Sequence, residues 1–343
     1  MTPRVSVVMP VFNGEAYLAA AIRSILSQTL RDLELIVIDG GSTDQTVAIA
    51  TGSGDDRVRV VAHSGRCGLV DSLNEGLDAA RGIFIARMDA DDIAYPERLE
   101  RQVAFMERNE DLVASGTFAA EFGRRRNRLY SFPVAREDVQ AMALFECPLA
   151  HPTVVLRKSM LALHQLRYST EFKVCEDWEL WCRVLSHGAI GMLPECLLLY
   201  RYHERSISRQ AATRIADTAH VIDKNNMRRL GLESHPQLRW HRFLAAAHKC
   251  TELGYAWDGS ALGGWIEALL AAVDQARVFD ARSVRRQVAT RLLKIGFVLP
   301  QAWSLLWSAR HLLALNGKEL SAMARHVMLR TSTVRVDQRL LEM

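Results

Sequence analysis

The sequence predicts an α/β fold, a mostly parallel, Rossmann-like sheet with helices on both faces, followed by a mainly helical region. Three observations predict it. Short runs of β-type residues alternate with amphipathic segments through the first third of the 343 residues. Those β-type runs lack polar alternation, as strands covered on both faces do. Polar clusters fall just beyond the carboxyl ends of the runs, where ligands collect in sheets of this kind.

The expected strands are, in order, Val5 to Met9, Leu35 to Ile38, Val58 to Val61, Ile83 to Ala86 and Leu112 to Ser115. Each is a short run rich in Val, Ile and Leu between turn-forming residues. Helices are expected around Ala16 to Leu26, Leu69 to Ala79 and Pro96 to Glu107, where apolar residues recur at helical spacing. Right-handed crossovers would join the strands. From Pro133 to Ser208 the pattern is mixed, with a strand expected at Thr153 to Leu156 and a helix at Glu176 to His187. Residues 209–343 read as mostly helical. The expected division into 1–208 and 209–343 rests on this change of period and on composition, because neither a repeat nor a low-complexity linker is present.

At 49% hydrophobic and 24% charged residues, the chain can bury a sizeable core. The net charge of +4 hides an asymmetry: 23 Lys and Arg stand against 28 Asp and Glu in residues 1–208, and 20 against 11 in residues 209–343. An acidic front half suits a cation site and a basic back half an anionic surface or partner; scattered surface charge accounts for the same numbers. No nucleic-acid-binding module is recognisable, so no nucleic-acid partner is expected. The six cysteines have no C-x-x-C spacing, which points away from a disulfide framework or a zinc site and suits a reducing compartment. The opening "MTPRVSVVMPVFNG" enters a strand-like run too early for a signal peptide. The uncharged stretch Ile295 to Ala309 is interrupted by Pro300 and falls short of the roughly 20 residues that span a bilayer. No spanning helix is expected.

The segment "ARMDADDIAYPERL" (86–99) puts three aspartates into four positions directly behind an apolar run. Where a strand leaves the sheet, Asp89 and Asp91 project to one side. Two carboxylates would then share the ligand crevice, and a divalent cation relieves their repulsion. Carboxylates with few other protein ligands suit Mg²⁺ or Mn²⁺ that also holds substrate phosphates. The other reading has Asp91 and Asp92 favouring the start of the helix that Pro96 opens.

Four further segments accompany this one in order: "MPVFNGEAYLAAAIRSILSQT" (9–29) and "LELIVIDGGSTDQT" (33–46) before it, "CEDWELW" (175–181) and "YRYHERSIS" (200–208) after it. Together the five resemble family 2 glycosyltransferases, inverting enzymes of the GT-A fold that use nucleotide-sugar donors. The resemblance covers residues 4–208. It implies a metal-dependent glycosyltransferase that moves a sugar from a nucleotide-diphosphate donor, a UDP-sugar before others, to an acceptor hydroxyl on a sugar, a lipid-linked acceptor or a glycan. Cell-surface polysaccharide or glycoconjugate biosynthesis is the implied setting, in the cytoplasm or at the inner face of the membrane.

The resemblance also assigns roles. Pro10, Phe12 and Asn13 look like the first nucleotide contact, with Glu15 in the same stretch; Phe12 can stack on a base. Asp39 resembles the aspartate that accepts a hydrogen bond from the base. Asp44 is either a donor contact or a helix cap, and Ser42 is expected to cap. The stretch "HSGRCGLVDSLNEG" (63–76) departs from the Asn-x-Gly of many relatives; in it Arg66 either neutralises the diphosphate or is solvated, and Asn74 matches an asparagine before a glycine. Asp89 resembles the residue that bonds the ribose, Asp91 the metal ligand, and His203 a histidine that approaches the metal or the diphosphate. Asp92 turns to the following helix or to a metal-bound water. Arg201 binds phosphate or pairs with an acid such as Glu204, and His151 lines the acceptor side.

An inverting transfer also needs a base for the acceptor proton. The resemblance puts it in the Glu176–Asp177 pair. Helical phase selects Asp177, which shares a stripe with Leu180, Trp181, Val184 and Leu185, whereas Glu176 is expected on the outer side with Glu179 and Arg183. In the last third, Arg282, Arg285, Arg286, Arg291 and Lys294 precede Trp303, Leu306 and Trp307. That composition fits a helix lying on an anionic bilayer, or packed helices of an ordinary domain. A sugar nucleotidyltransferase would show a glycine-rich phosphate loop near the first strand, which "VVMPVFNGE" does not supply. The alternative to an enzyme is a nucleotide-sugar-binding or scaffold protein.

Overall fold

The structure, a computed structural model, describes residues 2–123, 127–203, 212–246, 256–299, 302–304 and 313. The first unit contains β1 (Val5–Val11), α1 (Leu18–Leu26), β2 (Leu33–Asp39), α2 (Thr46–Thr51), β3 (Val58–Ala62), α3 (Leu69–Ala79), β4 (Phe84–Arg87), β5 (Ile93–Ala94), α4 (Arg98–Arg108), β6 (Leu112–Phe122) and β7 (Leu129–Tyr130). After α5 (Arg136–Ala143), which belongs to the second unit, it continues with a 3₁₀ turn at His151–Thr153, β8 (Val155–Arg157), α6 (Lys158–Leu163), α7 (Glu176–Val184) and β9 (Ala189–Arg201). The strands form one sheet in the order β3-β2-β1-β4-β8-β6-β9-β5, with β7 on β6.

Every residue of β1 and of β2 is buried. Their unbroken apolar runs are therefore the signature of a sheet with cover on both sides. On the α3 side contact is close: a Cβ on Gly76 would come within 2.2 Å of Val8 Cγ1, so this helix packs on the strand only with glycine there. Two polar residues break the run as a pair. Ser6 lies opposite Glu34 in register and donates its hydroxyl to it at 2.6 Å, and Arg81 and Arg59 also bond that carboxylate. Burial pushes the Glu34 carboxyl up, but the hydrogen bonds from Arg81, Ser6 and Arg59 outweigh it and hold the pKa at about 2.

β1 is the switch point of the sheet, with β2 and β3 on one side and β4 on the other. Its pairing with β2 runs to Val11–Asp39, whereas its pairing with β4 stops at Val8–Arg87. In sheets of this kind the crevice that takes ligands lies at such a switch point, beyond the carboxyl ends of the strands. Pro10 lies in this last stretch of β1, beyond the β4 pairing, where its lack of an N–H is tolerated.

Beyond β4 the sheet departs from the expected parallel order. β8 is antiparallel to both β4 and β6, and β9 runs parallel to β6 with register shifts between Leu112 and Ala114 and on either side of Phe118. β9 spans 13 residues and was not expected from the sequence, because its apolar residues do not alternate and Pro194 interrupts them. It matters for the site: β5, which begins one residue after Asp92, pairs antiparallel with Leu198 and Leu199, so the end of β9 is brought to the acidic turn.

The second unit comprises residues 135–148 and, among the described residues, those from 212 onward. Its helices are α5, α8 (Ala212–Arg228), α9 (Arg239–Ala245), α10 (Gly259–Ala276) and α11 (Ala281–Val298). Asp258 and Asp280 cap the last two by accepting from Ala261 N and Ser283 N. Leu144, Phe145, Phe243, Trp265, Leu269 and Leu292 are at the centre of its core. The expected boundary at 208–209 lies outside the described residues, and the segment 135–148, expected in the first domain, clusters with the helices instead. Of the basic positions expected on one helix, Arg285 pairs with Asp274, Arg286 with Asp138, and Arg291 and Lys294 with Glu146. Arg291 is almost wholly buried. Leu306 and Trp307 lie outside the described residues.

Candidate active site

The turn after β4 gathers charge. Asp89, Asp91 and Asp92 each offer a carboxylate oxygen, and all of these oxygens lie within 4.8 Å of one another. Asp89 is 2.5 Å from the guanidinium of buried Arg87. Asp91 Oδ2 is 2.7 Å from Nε2 of His203. Asp92 is buried; its Oδ1 accepts from the Arg201 backbone N–H at 2.8 Å, and its Oδ2 has no partner among the described residues. Burial and then the neighbouring Asp89 and Asp91 push the Asp92 carboxyl well above its usual range. Burial also raises Asp89, opposed by Arg87 and reinforced by Asp91. A turn that cannot easily carry three negative charges, with a buried oxygen lacking a donor and an imidazole beside it, fits a hard divalent cation.

The surroundings hold this turn in place. Arg201 donates Nε to the Asp91 carbonyl at 2.7 Å, and its guanidinium lies 4.4 Å from the ring centres of both Tyr17 and Phe122. The His203 ring sits 5.2 Å from Tyr17. Below, fully buried Arg98 donates to the Arg87 carbonyl at 2.8 Å. Asp92 thus turns to the β9 end and not to helix α4, which begins at Arg98 with no side-chain cap. Arg201 is engaged by the acidic turn, while Glu204 lies outside the described residues.

On the other side of the crevice two loops interlock. Asn13, in the left-handed region at φ 49°, accepts from Thr43 N through Oδ1 and donates its own backbone N–H to Ser42 Oγ. Glu15 N donates to Asp44 Oδ2, and Gln45 N to Glu15 Oε2. Asp44 Oδ1 accepts from Thr46 N at 3.0 Å. Asn13, Glu15, Ser42 and Asp44 therefore bond one another's loops. Ser42 does not cap α2, whose N-cap is Gln45, because its hydroxyl oxygen accepts from the β1 loop. Asp39 is 1% exposed; its Oδ2 accepts from Gly41 N and Ser42 N, and its Oδ1 has no partner among the described residues. Pro10 is buried within β1, whereas Phe12 is 42% exposed and carries the Arg66 guanidinium 3.3 Å above its ring. The Asn74 amide pairs with both backbone groups of Tyr168.

The helix phase of the acid pair differs from expectation. Glu176 is buried and Asp177 only half-buried. α7 starts abruptly after Cys175 at φ 56°, so its first residue faces the 3₁₀ turn instead of solvent. Counting apolar spacing along the helix cannot register that, because the covering groups, His151, Tyr168 and Arg87, come from remote segments. His151 is itself buried, with Nδ1 3.6 Å from Glu176 Oε1. Asp177 remains the more accessible acid of the pair. Arg87, Tyr17, Arg98 and Tyr168 were missed in the sequence; the first three stand inside the recognised motifs 9–29 and 86–99, and only Tyr168 lies outside them.

Residues 6–162, from β1 through most of α6, match the family "Glycosyl transferase family 2". An uncharacterized glycosyltransferase from Haemophilus influenzae is 31% identical over 237 residues, 66% of this chain and 73% of the relative. The chain belongs to glycosyltransferase family 2. Among other relatives, the O-antigen biosynthesis glycosyltransferase WbnJ of Escherichia coli is 32% identical over 215 residues, 60% of this chain and 83% of its own length. In fold, this family 2 glycosyltransferase is similar to residues 1–349 of S. aureus TarS, solved in complex with UDP-GlcNAc, with a TM-score of 0.57 at 17% identity over 97% of this chain and 94% of that one. The sheet with its covering helices is thus the GT-A fold, followed by helices, as expected. Among the described residues no helix is long and apolar enough to cross a membrane.

Proposed function

We propose that this glycosyltransferase moves a sugar, with inversion, from a nucleoside-diphosphate donor to an acceptor hydroxyl in polysaccharide or glycoconjugate assembly. The observation that carries the reading is the meeting of Asp91 and His203 beside Asp89 and Asp92. Asp91 and His203 would hold Mg²⁺ or Mn²⁺, which when bound supplies positive charge to the departing diphosphate.

The chain's own residues do the rest. Asp39, with a buried oxygen lacking a donor, accepts an N–H of the base. Phe12 offers an exposed ring to the same base, and Arg66 above it is free to lean towards the phosphates once the base takes its place. Asp89, held by Arg87, accepts from a ribose hydroxyl. Asp177 takes the proton of the acceptor hydroxyl as that oxygen attacks the anomeric carbon from the face opposite the diphosphate. The donor bound by TarS supports a UDP-sugar, and the printed role of WbnJ supports a glycan acceptor.

The test is incubation with a panel of UDP-, GDP- and dTDP-sugars, with and without Mn²⁺, reading released nucleoside diphosphate. Release from one donor that requires the metal and disappears in Asp91→Asn supports the proposal. Binding of nucleotide without turnover across the panel and a range of glycan acceptors favours a binding protein instead.

A further inference from the structure

β9 ends on Arg201, and His203 follows two positions later, so an extended chain sends both side chains the same way. Arg201 Nε donates to the main-chain carbonyl of Asp91 at 2.7 Å, and the Arg201 backbone N–H donates to Asp92 Oδ1 at 2.8 Å. One residue of β9 thus holds two consecutive residues of the acidic turn. Its guanidinium packs against two rings, Tyr17 and Phe122, with each ring centre 4.4 Å from Cζ. Phe122 is the register partner of Arg201 across β6, and Tyr17 stands just before α1 with its backbone N–H on the Gly14 carbonyl. The same Tyr17 ring lies 5.2 Å from the His203 ring, tilted by 37°.

A cation site binds well only if its ligands are held in place before the ion arrives, to within about 0.5 Å. Asp91 and His203 come from segments 112 positions apart, and neither is fixed by its own element: Asp91 lies in a turn, and His203 lies past the end of β9. Residue 201 is their common reference. It anchors the turn through the Asp91 carbonyl and the Asp92 carboxylate, which leaves the Asp91 carboxylate only its own side-chain torsions, and two positions on the chain delivers the imidazole. Tyr17 touches both Arg201 and His203 and closes the set. Charge agrees with this, because a guanidinium beside three crowded carboxylates offsets their repulsion. A lysine would supply the same charge, but neither the flat face that packs on rings nor the Nε–H edge that meets a carbonyl.

We propose that Arg201 is a positioning residue for the cation site: seated against Tyr17 and Phe122, it holds the Asp91 carboxylate and the His203 imidazole at the spacing a divalent cation requires, and it acts through these two ligands and not on the donor phosphates. This rests on the reading of Asp91 and His203 as the cation ligands. Of the two roles that the sequence left open for Arg201, phosphate contact and pairing with an acid such as Glu204, neither is the one assigned here. The proposal also gives Tyr17, in "EAYLAA", a task that its place at a helix start does not suggest, that of seating Arg201 and His203 together.

The experiment measures Mn²⁺ binding to the full chain by loss of the free-ion EPR signal, and UDP binding without metal by titration calorimetry. In Arg201→Lys, Mn²⁺ affinity should fall roughly 10- to 100-fold, the usual cost of removing a group that orients a metal ligand, while metal-free UDP affinity stays within about twofold. Tyr17→Leu, which removes the ring from a half-buried position, should show the same pattern in weaker form, and Tyr17→Phe, which keeps the ring, should bind Mn²⁺ as the unsubstituted chain does. Unmoved Mn²⁺ affinity in Arg201→Lys or in Tyr17→Leu overturns the inference, and so does a Tyr17→Phe chain weakened as much as Tyr17→Leu. A metal-free UDP affinity that falls in Arg201→Lys as far as the Mn²⁺ affinity also overturns it, since that marks Arg201 as a phosphate contact. Should Arg201→Lys not fold, the two Tyr17 variants decide alone. Asp91→Asn, measured alongside, separates the two levels: an Asp91→Asn chain that binds Mn²⁺ as tightly as the unsubstituted one rejects the cation site itself, whereas one that loses Mn²⁺ while Arg201→Lys keeps it rejects only the role of Arg201.

Discussion

The Nε2 atom of His203 lies 2.7 Å from Oδ2 of Asp91, although 112 positions separate them in the chain. The contact is built by the sheet: β5 follows the acidic turn at once and pairs with the end of β9, which then delivers Arg201 and His203. Two consequences follow for metal binding and catalysis.

Replacing either partner should weaken cation binding more than it weakens the fold. His203→Ala is expected to lower Mn²⁺ affinity roughly 10- to 100-fold, measured by titration calorimetry with UDP present, with thermal stability little changed. Equal Mn²⁺ affinity in His203→Ala and the unsubstituted chain would remove His203 from the site.

Asp177→Asn keeps the shape of the side chain and removes its basicity. Transfer should fall by a factor of about 10²–10⁴, the usual worth of a general base, while donor affinity stays within twofold. The comparison to make is kcat against donor Kd, and a parallel loss of both would point to a binding role.

Gly41 should not tolerate a side chain. Its φ is +83°, and a Cβ there would lie 2.4 Å from the Gly65 carbonyl oxygen, so the loop over Asp39 would have to move. Gly41→Ala is expected to cost at least about 1–2 kcal/mol from backbone conformation alone and to lower Tm, with donor affinity falling as the Asp39 turn opens. An unchanged Tm would mean that the 63–68 loop yields freely.

Acid should loosen the sheet through Glu34. Its folded pKa, about 2, lies below the ordinary 4.5, so the unfolded chain binds the proton more readily. The stability it contributes is complete above about pH 4.5 and is lost as pH falls towards 2. Glu34→Gln should flatten the dependence of urea midpoint on pH within that window; a slope equal to that of the unsubstituted chain would assign the acid sensitivity elsewhere.

The parallel half of the sheet was legible because β1, β2 and β4 are buried along their length, and apolar runs such as Leu35–Ile38 between turn residues fit strands so covered. The acidic turn stood out because three aspartates follow a buried strand within four positions and four further motifs accompany it in order. What could not be read was set by partners remote in sequence. Glu176 faces inward because His151 and Tyr168 cover it and because Cys175 turns the chain at φ 56°, and helix periodicity carries neither fact. That Asn13 bonds Thr43 and Ser42, and Glu15 bonds Asp44 and Gln45, could not be read from the sequence, because the two loops are some 30 positions apart. The basic run on α11 left a bilayer-facing helix and packed helices both open, because two of its acids, Asp138 and Glu146, lie 148 and 145 positions away from their partners.

Asp91 and His203 are proposed to grip a cation that holds the donor diphosphate. Anomalous diffraction at the manganese edge, from crystals grown with Mn²⁺ and UDP, tests it most directly. A peak within coordination distance, about 2.0–2.4 Å, of an Asp91 carboxylate oxygen and His203 Nε2, touching the diphosphate, is the expected result. UDP bound in the crevice with no metal between it and Asp91, or metal bound away from both residues, would contradict the account.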